Sequence, residues 1–227
     1  GLGDVYKRQD KNHYTDTKMW SAFAAVNWDF TENLTLTAGA RYSKDEKDGY
    51  IDIAYMHSFL SGVFGFLPTG TVVGDGANGT APLEFDDSEV TPEISLNWSL
   101  SDNVSLFAAY KTGYKSGGFD NSALPSATLG NGDIGPLLYE SETGEGFEGG
   151  IKSLLMDSSL RLNATAFYYV YEDLQVQLFD AVNIQFTTFN AGELTTQGLE
   201  ADFMWATGID GLTINGAIAL TDAEYSK

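Results

Sequence analysis

The sequence has no cysteine and little positive charge, and each absence excludes a class of protein. Without cysteine in 227 residues, disulfide frameworks and thiolate metal sites are excluded. Only 12 lysines and arginines oppose 32 aspartates and glutamates, so the net charge is −20. Proteins that bind nucleic acid neutralise phosphates with a basic surface. We therefore expect no nucleic-acid partner.

Long apolar runs and helical periodicity are also missing. No stretch approaches the roughly 20 apolar residues that a membrane-spanning helix needs. Hydrophobic residues still make up 43% of the chain and charged residues only 19%, which is typical of a folded protein. The regular signal that remains is alternation with period 2, which predicts an all-β fold.

Alternating segments follow one another in pairs along the chain. In residues 20–30, Trp20, Val26 and Trp28 fall on one face, and Ser21 and Asn27 fall on the other. The same pattern returns at residues 34–48, 89–100, 104–115, 146–155, 160–171, 196–206 and 212–221. We predict about eight antiparallel strands in four hairpins, paired in sequential order, with unpaired edges near residues 16–30 and 212–225.

The connections between these segments are of two kinds. Turns of a few residues, such as "TEN", "SDN" and "MDSS", close the hairpins, whereas residues 49–86, 120–138 and 179–190 form longer connections. Transmembrane barrels have short periplasmic turns and longer extracellular loops. This asymmetry predicts part of an up-and-down transmembrane β-barrel.

Aromatic residues mark both ends of the apolar face. Trp28 and Trp98 lie beside the short turns, and Tyr42, Tyr110 and Tyr114 lie toward the long loops. Aromatic rings concentrate at the two interfaces of a bilayer, where an apolar body meets acyl chains and a polar tip meets headgroups. Residues 104–114 supply the ~9–11 residues that a tilted spanning strand needs. We therefore expect outer-membrane lipid on the apolar face and a lumen on the other.

Four stretches resemble the barrel of TonB-dependent outer-membrane receptors. They are "FTENLTLTAGARYSKDEKD", "LFAAYKTGYKSGGFD", "NAGELTTQGLEADF" and "LTINGAIALTDAEY", and "GYKSGGF" is the most specific of them. The resemblance covers residues 16–227 and implies a barrel of about 22 strands closed by an N-terminal plug. It also implies a bacterial outer-membrane location, import of ferric siderophores or another scarce nutrient, and coupling to the TonB energy-transducing complex.

The resemblance also suggests how the chain is bounded. "GLGDVYKRQ" does not continue into the first alternating segment, so we expect residues 1–9 to be a non-native leader. Residues 10–227 would be a partial barrel, truncated at both ends, without the plug and without the motif that contacts TonB.

Cations on the lumen face are the candidates for a substrate path. Arg41, Lys111 and Lys115 alternate with the apolar residues near the long loops, and we add Phe119 and Tyr169 as candidates. A charged lumen strengthens attraction for an anionic ferric chelate. The alternative is that lumen cations, Arg161 among them, only pair with carboxylates such as those of Glu93, Glu148 and Asp202.

Other motifs are weaker, and we expect no catalytic residue, no cofactor and no metal site. "GEGFEG", at residues 144–149, matches a dinucleotide fingerprint, but alternation follows it where a helix is required. Asp86, Asp87 and Glu89 could hold a cation, whereas His13 and His57 are isolated. The apolar stretch at residues 51–68 is expected to form a packed loop core or to contact ligand.

Two other kinds of protein fit the composition. One is a different outer-membrane barrel, such as a porin or an adhesin. The other is a soluble extracellular β-sandwich that binds carbohydrate, whose two sheets would pack face to face.

Overall fold

Strands make up most of the structure. The structure, a computed structural model, describes residues 9–77, 81–120, 134–180 and 185–226. About 76% of the described residues are strand and 4% are helix, which confirms the all-β prediction. In chain order the elements are β1 Gln9–Thr31, β2 Leu34–Met56, α1 Ser58–Phe64, β3 Val72–Val73, β4 Leu83–Ser101, β5 Val104–Lys115, β6 Gly118–Phe119, a 3-10 helix Gly135–Leu137, β7 Leu138–Tyr139, β8 Glu142–Leu155, β9 Leu160–Glu172, β10 Gln175–Asp180, β11 Gln185–Asn190, β12 Glu193–Ala206 and β13 Thr213–Ser226.

Eight long strands form one antiparallel sheet in sequential order. The order is β1-β2-β4-β5-β8-β9-β12-β13, and the short β3 pairs with β2. Strands β1 and β13 lie at the two open edges, as expected of an arc cut from a barrel. The remaining pairs, β6–β7 and β10–β11, are short two-stranded sheets. The predicted strand order and edges are confirmed, and the sandwich alternative is wrong because one continuous sheet replaces two packed ones.

The two ends of the sheet differ as predicted. Turns at residues 32–33, 102–103, 156–159 and 207–212 close the hairpins at one end. Residues 57–82, 116–141 and 173–192 connect the hairpins at the other end, which we call the mouth.

Two aromatic belts lie on one face, which we call the outer face. At the upper belt, the rings of Trp20 and Tyr42 are 5.1 Å apart and those of Tyr110 and Phe147 are 4.9 Å apart. Near the short turns, Trp28 packs on Phe30 with a centroid distance of 4.1 Å. Residues 20 to 28 of β1 therefore run from belt to belt, which matches the ~9 residues of a tilted spanning strand.

Tyr114 does not belong to the upper belt, contrary to expectation. Its hydroxyl lies 3.2 Å from Oδ2 of Asp87, a residue on the opposite, inner face. The pairing of β4 with β5 ends at Glu93 and Lys111, so the strands separate toward the mouth. The gap lets the Tyr114 ring turn inward.

The strands extend farther beyond the membrane than predicted. Strand β2 continues to Met56 and β4 begins at Leu83, so part of residues 49–86 is sheet rather than loop. Outer-face residues above the belt are charged, and Lys44 pairs with Glu46 at 2.8 Å and with Asp86 at 3.2 Å. Because the outer face of this extension is not apolar, apolar and polar residues do not alternate along it, and the sequence did not predict the strand beyond residue 48.

The hydrophobic core lies on the inner face of this extension. Ile51 and Ile53 are 0% exposed, and Ile51 packs in one cluster with core residues of the mouth segments. The core residues that it joins are Val73, Leu83, Phe119, Ile134 and Leu137. The burial of Ile51 and Ile53 agrees with one of the two interpretations of residues 51–68, namely that this apolar stretch packs into a core. Both residues lie in strand β2 rather than in a loop.

Helix α1 is one short element of the mouth. Nδ1 of His57 accepts a hydrogen bond of 3.2 Å from the amide of Phe59, which caps the first turn. Gly65 ends the helix in the left-handed conformation, with φ of 67°. Among the described residues, no helix is both long and apolar enough to cross a membrane.

The outer face is expected to tolerate charge poorly. In the full-length barrel, Leu106→Arg places a cation in the apolar band and should cost ~2–4 kcal/mol near the midplane. Its neighbour Ser105 points to the inner face and provides the matched control Ser105→Arg. Assembly is measured as the heat-modifiable fraction of receptor in outer membranes, and an equal loss in both variants would contradict the assignment of the faces.

Candidate functional site

The inner face near the mouth carries a network of ion pairs and hydrogen bonds. Lys111 on β5 pairs with Glu148 on β8 through Oε1. Oε2 of the same carboxylate accepts a hydrogen bond of 3.1 Å from the hydroxyl of Tyr169 on β9. Two of the candidate residues thus meet at one carboxylate, and Glu148 is one of the carboxylates named in the sequence analysis as possible partners of the lumen cations.

A second ion pair lies closer to the mouth. Nζ of Lys115 is 3.4 Å from Oε2 of Glu142, which also accepts a 2.9 Å hydrogen bond from the amide of Gln175. The side-chain amide of Gln175 donates to the carbonyl oxygens of Lys115, Ser116 and Glu140 at 3.1 to 3.3 Å. Sequence reasoning missed both partners: Glu142 is the register partner of Lys115 where β8 begins, and Gln175 is brought there from the start of β10 by the fold of the mouth.

Arg41 lies on the same face but in different surroundings. Its Nη1 donates a 2.7 Å hydrogen bond to Oγ of Ser21, and its guanidinium lies 5.2 Å from the centre of the Phe23 ring. Strand β4 separates Arg41 from Lys111, and this spacing corresponds to about 10 Å. Nearer the short turns, Arg161 pairs with Asp202 at 3.4 Å.

Phe119 is buried. It is 8% exposed in the mouth core, and a Cβ added at Gly49 would lie 2.7 Å from its ring. The structure therefore groups Lys111, Lys115 and Tyr169 at the mouth end and places Phe119 in the core beneath the loops. For all five candidates the substrate-path role stays a prediction.

Aromatic rings line the inner face beside these cations, each over a glycine of the neighbouring strand. The rings of Tyr169 and Tyr171 are 6.4 Å apart, and those of Phe167 and Tyr169 are 6.3 Å apart. The pairs are Phe107 over Gly150, Phe167 over Gly198, Tyr169 over Gly146 and Tyr171 over Gly144. The spacing of glycines in "ETGEGFEGG" was the available sequence signal for this stripe.

Two lysines of the mouth have perturbed acidity. Burial lowers the pKa of Lys11 to about 8, although the Asp120 carboxylate acts in the opposite direction. Burial also lowers the pKa of Lys47, whose ammonium donates to the carbonyl of Gly117 and lies 5.6 Å from the centre of the Phe85 ring. The hydrogen bond of Lys47 ties Gly117 of the mouth to strand β2.

The strands place the motifs that suggested nucleotide or cation binding in arrangements that do not fit those functions. "GEGFEG" lies inside β8 and pairs along its length with β9, so no helix follows it and the nucleotide interpretation is wrong. Asp86 faces outward to Lys44, whereas its neighbour Asp87 faces inward. Within the described ranges, no three His, Cys, Asp or Glu side chains converge in a way that could hold a metal ion.

Comparison with known families agrees with this geometry. Residues 1–226 match the family model described as TonB dependent receptor-like, beta-barrel. The chain belongs to the family of TonB-dependent receptor barrels. Barrels of this family lie in the bacterial outer membrane, so the location and lipid contact follow.

Individual relatives of this TonB-dependent receptor barrel include the pesticin receptors of Yersinia. The protein of Yersinia enterocolitica is 25% identical over 192 residues, which cover 85% of this chain and 24% of the relative. The protein of Yersinia pestis is 24% identical over the same length. The chain thus spans about a quarter of the relatives it matches.

Solved structures share the fold. The ferric yersiniabactin uptake receptor of Yersinia pestis has a TM-score of 0.69 at 17% identity, covering 96% of this chain and 29% of that one. The siderophore receptor PiuA of Acinetobacter baumannii has a TM-score of 0.64 at 20% identity, covering 95% and 26%. These named relatives are receptors for uptake rather than enzymes.

The ring-over-glycine packing predicts a steep cost for a single methyl group. In Gly146→Ala, the new Cβ would lie 2.3 Å from the Tyr168 carbonyl oxygen and 2.4 Å from Cδ1 of Tyr169. Overpacking of this kind should lower the free energy of unfolding by about 1–3 kcal/mol. Gly208→Ala meets nothing within 4 Å and is the matched control. Denaturant unfolding of the full-length receptor measures both, and an unchanged Gly146→Ala variant would contradict this packing.

Lys11 predicts a pH dependence at the mouth. Because the folded pKa of Lys11 lies below the usual lysine value of 10.5, the unfolded chain binds more protons between about pH 8 and 10.5. Stability contributed by this group therefore rises with pH across that window. Lys11→Met should slow amide exchange of residues 9–16 at pH 7.5, and its advantage over the native receptor should shrink by pH 10. A difference that stays constant with pH would contradict the burial of a charged Lys11.

Proposed function

We propose that this chain is part of the barrel of an outer-membrane receptor that takes up a ferric siderophore or another scarce nutrient. The mouth-end cations of the inner face would form part of the path of the cargo. The observation that carries this proposal is that Lys111 and Lys115 are paired but still exposed, with 47% and 60% of their side chains accessible.

Exposed ion pairs are weak enough to exchange partners. A solvent-exposed pair contributes about 0–1 kcal/mol, so an incoming anion can replace a carboxylate at little cost. Arg41, whose contacts are to the hydroxyl of Ser21 and the ring of Phe23, adds a third cation on this face. Tyr169, which shares the carboxylate of Glu148 with Lys111, adds a ring and a hydroxyl beside them.

Names of relatives support the class of cargo. The structural neighbours include receptors named for ferric yersiniabactin, alcaligin and ferric catecholate. One neighbour with a TM-score of 0.65 is a copper transporter, so the fold also serves another metal. Acidic ferric chelates suit an inner face on which cations can be released from carboxylates.

Coupling to energy would involve regions outside this chain. Since the chain covers about a quarter of its relatives, we propose that other parts of the full-length receptor contact the TonB energy-transducing complex. The segment described here would then contribute wall and mouth rather than the gate.

The test is ligand binding by the full-length receptor with Lys111 and Lys115 both changed to Gln. Affinity for an anionic ferric siderophore should fall by at least tenfold while surface abundance stays normal, because two exchangeable cations are lost. Lys18→Gln is the control, since Lys18 is exposed and its partner Asp16 is 3.9 Å away.

A second variant separates cargo binding from scaffolding. Glu148→Gln removes the carboxylate that competes for Lys111, so affinity for the anion should be kept or increased. If the double lysine variant binds normally, the lysines only neutralise carboxylates and the cargo path lies elsewhere.

A further inference from the structure

Asp45 is the most unusual polar group of the mouth. It lies on the inner face of β2 and is 3% exposed, yet its Oδ1 has no hydrogen-bond partner among the described residues. An unpaired buried carboxylate is costly, because desolvation penalises the charge and no donor compensates it. Such a group calls for a partner that the described residues do not supply.

A second carboxylate lies directly opposite. Asp45 on β2 and Asp87 on β4 are register partners, so their Cβ atoms are about 4.5–5.5 Å apart on the same face. Like charges placed in this way destabilise a sheet. The pair is stable only if something positive lies between or beside the two carboxylates.

Lys47 fills that role only in part. It is two residues from Asp45 on the same face and its charge acts on that carboxylate, but its ammonium donates to the carbonyl of Gly117 and lies over the Phe85 ring. Within the described part of the chain, Lys47 forms no ion pair with a carboxylate, so Oδ1 of Asp45 is left without a direct partner.

Further oxygen atoms lie beside Asp87. Oδ2 of Asp87 accepts hydrogen bonds from the hydroxyls of Ser141 and Tyr114. Gly117, whose amide donates to Oγ of Ser141 at 2.9 Å, brings its own carbonyl oxygen to this region. Carboxylate, hydroxyl and carbonyl oxygens are the ligands of hard cations, and Ca²⁺ accepts them in flexible geometry.

We propose that Asp45 and Asp87 hold a calcium ion on the inner face of the mouth. The ion supplies the missing partner of Asp45, neutralises both carboxylates, and joins β2 and β4 to the covering segments at residues 114–117 and 141. Its function is to lock these segments over the end of the sheet. The side chains of Lys111 and Lys115 are not among its ligands, and the site does not depend on which cargo the receptor takes.

The test is calcium binding by the full-length receptor in detergent, measured by equilibrium dialysis with radioactive Ca²⁺. The native receptor should hold one ion that is lost, with affinity reduced at least tenfold, in both Asp45→Asn and Asp87→Asn. Asp86→Asn is the matched control, because Asp86 lies beside Asp87 but faces outward to Lys44. The control should bind as the native receptor does.

Terbium gives a second readout that tolerates a poorly folding Asp45 variant. Tb³⁺ in place of Ca²⁺ should emit on excitation of tyrosine, and Tyr114→Phe should remove most of that emission in a receptor that retains both carboxylates. Ca²⁺ should also slow trypsin cleavage within residues 114–141 of the native receptor, but not in Asp87→Asn.

Three results would overturn the proposal. They are absence of calcium uptake by the native receptor, equal loss of binding in Asp86→Asn and Asp87→Asn, and thermal stabilisation by Asp45→Asn that does not depend on calcium. The last result would show that the buried Asp45 carboxylate destabilises the fold and holds no ion. Because the Lys111 and Lys115 variant is assayed separately for cargo, failure here leaves the proposed uptake function untouched.

Discussion

The structure depends on one constraint: the outer face of the sheet meets two solvents along the same strands. Between the aromatic belts it meets acyl chains, so β1 presents Trp20, Val26 and Trp28 outward. Beyond the upper belt it meets water, and Lys44 with its carboxylate partners replaces the apolar residues. Because the burial of apolar surface follows the solvent, the polarity of the two faces reverses at this level.

The reversal determines what the inner face can do at each height. At and just above the upper belt, it carries exposed ion pairs such as Lys111 with Glu148, which leave cations available to a ligand. Farther toward the mouth, Ile51 and Phe119 turn the same face into a hydrophobic core. Segments distant in sequence are thereby fixed above the end of the sheet, where they bury Asp45. The proposed cargo path and the mouth core thus both result from the change from lipid to water along the outer face.

Sequence reasoning succeeded where contrast between the faces was strong. Strand order and turn positions were predicted, because alternation fixes both the face and the register. Sequence reasoning failed for β2 beyond residue 48, where Asp48 and Asp52 interrupt the apolar outer face, and for Tyr114, whose inward turn depends on a gap between β4 and β5. Burial of Asp45 was not predictable, since it depends on segments about 70 to 100 residues away in the chain.

The most direct test of the reversal is a scan of accessibility along the outer face of β2. The chain has no cysteine, so single cysteines that carry a spin label can be introduced at positions 36, 38, 40, 44, 46 and 48 of the full-length receptor in bilayers. Labels at 36–40 should collide mainly with lipid-soluble oxygen and those at 44–48 with a water-soluble nickel complex. A change between Tyr42 and Lys44 agrees with the account, and uniform water access below Tyr42 would contradict it.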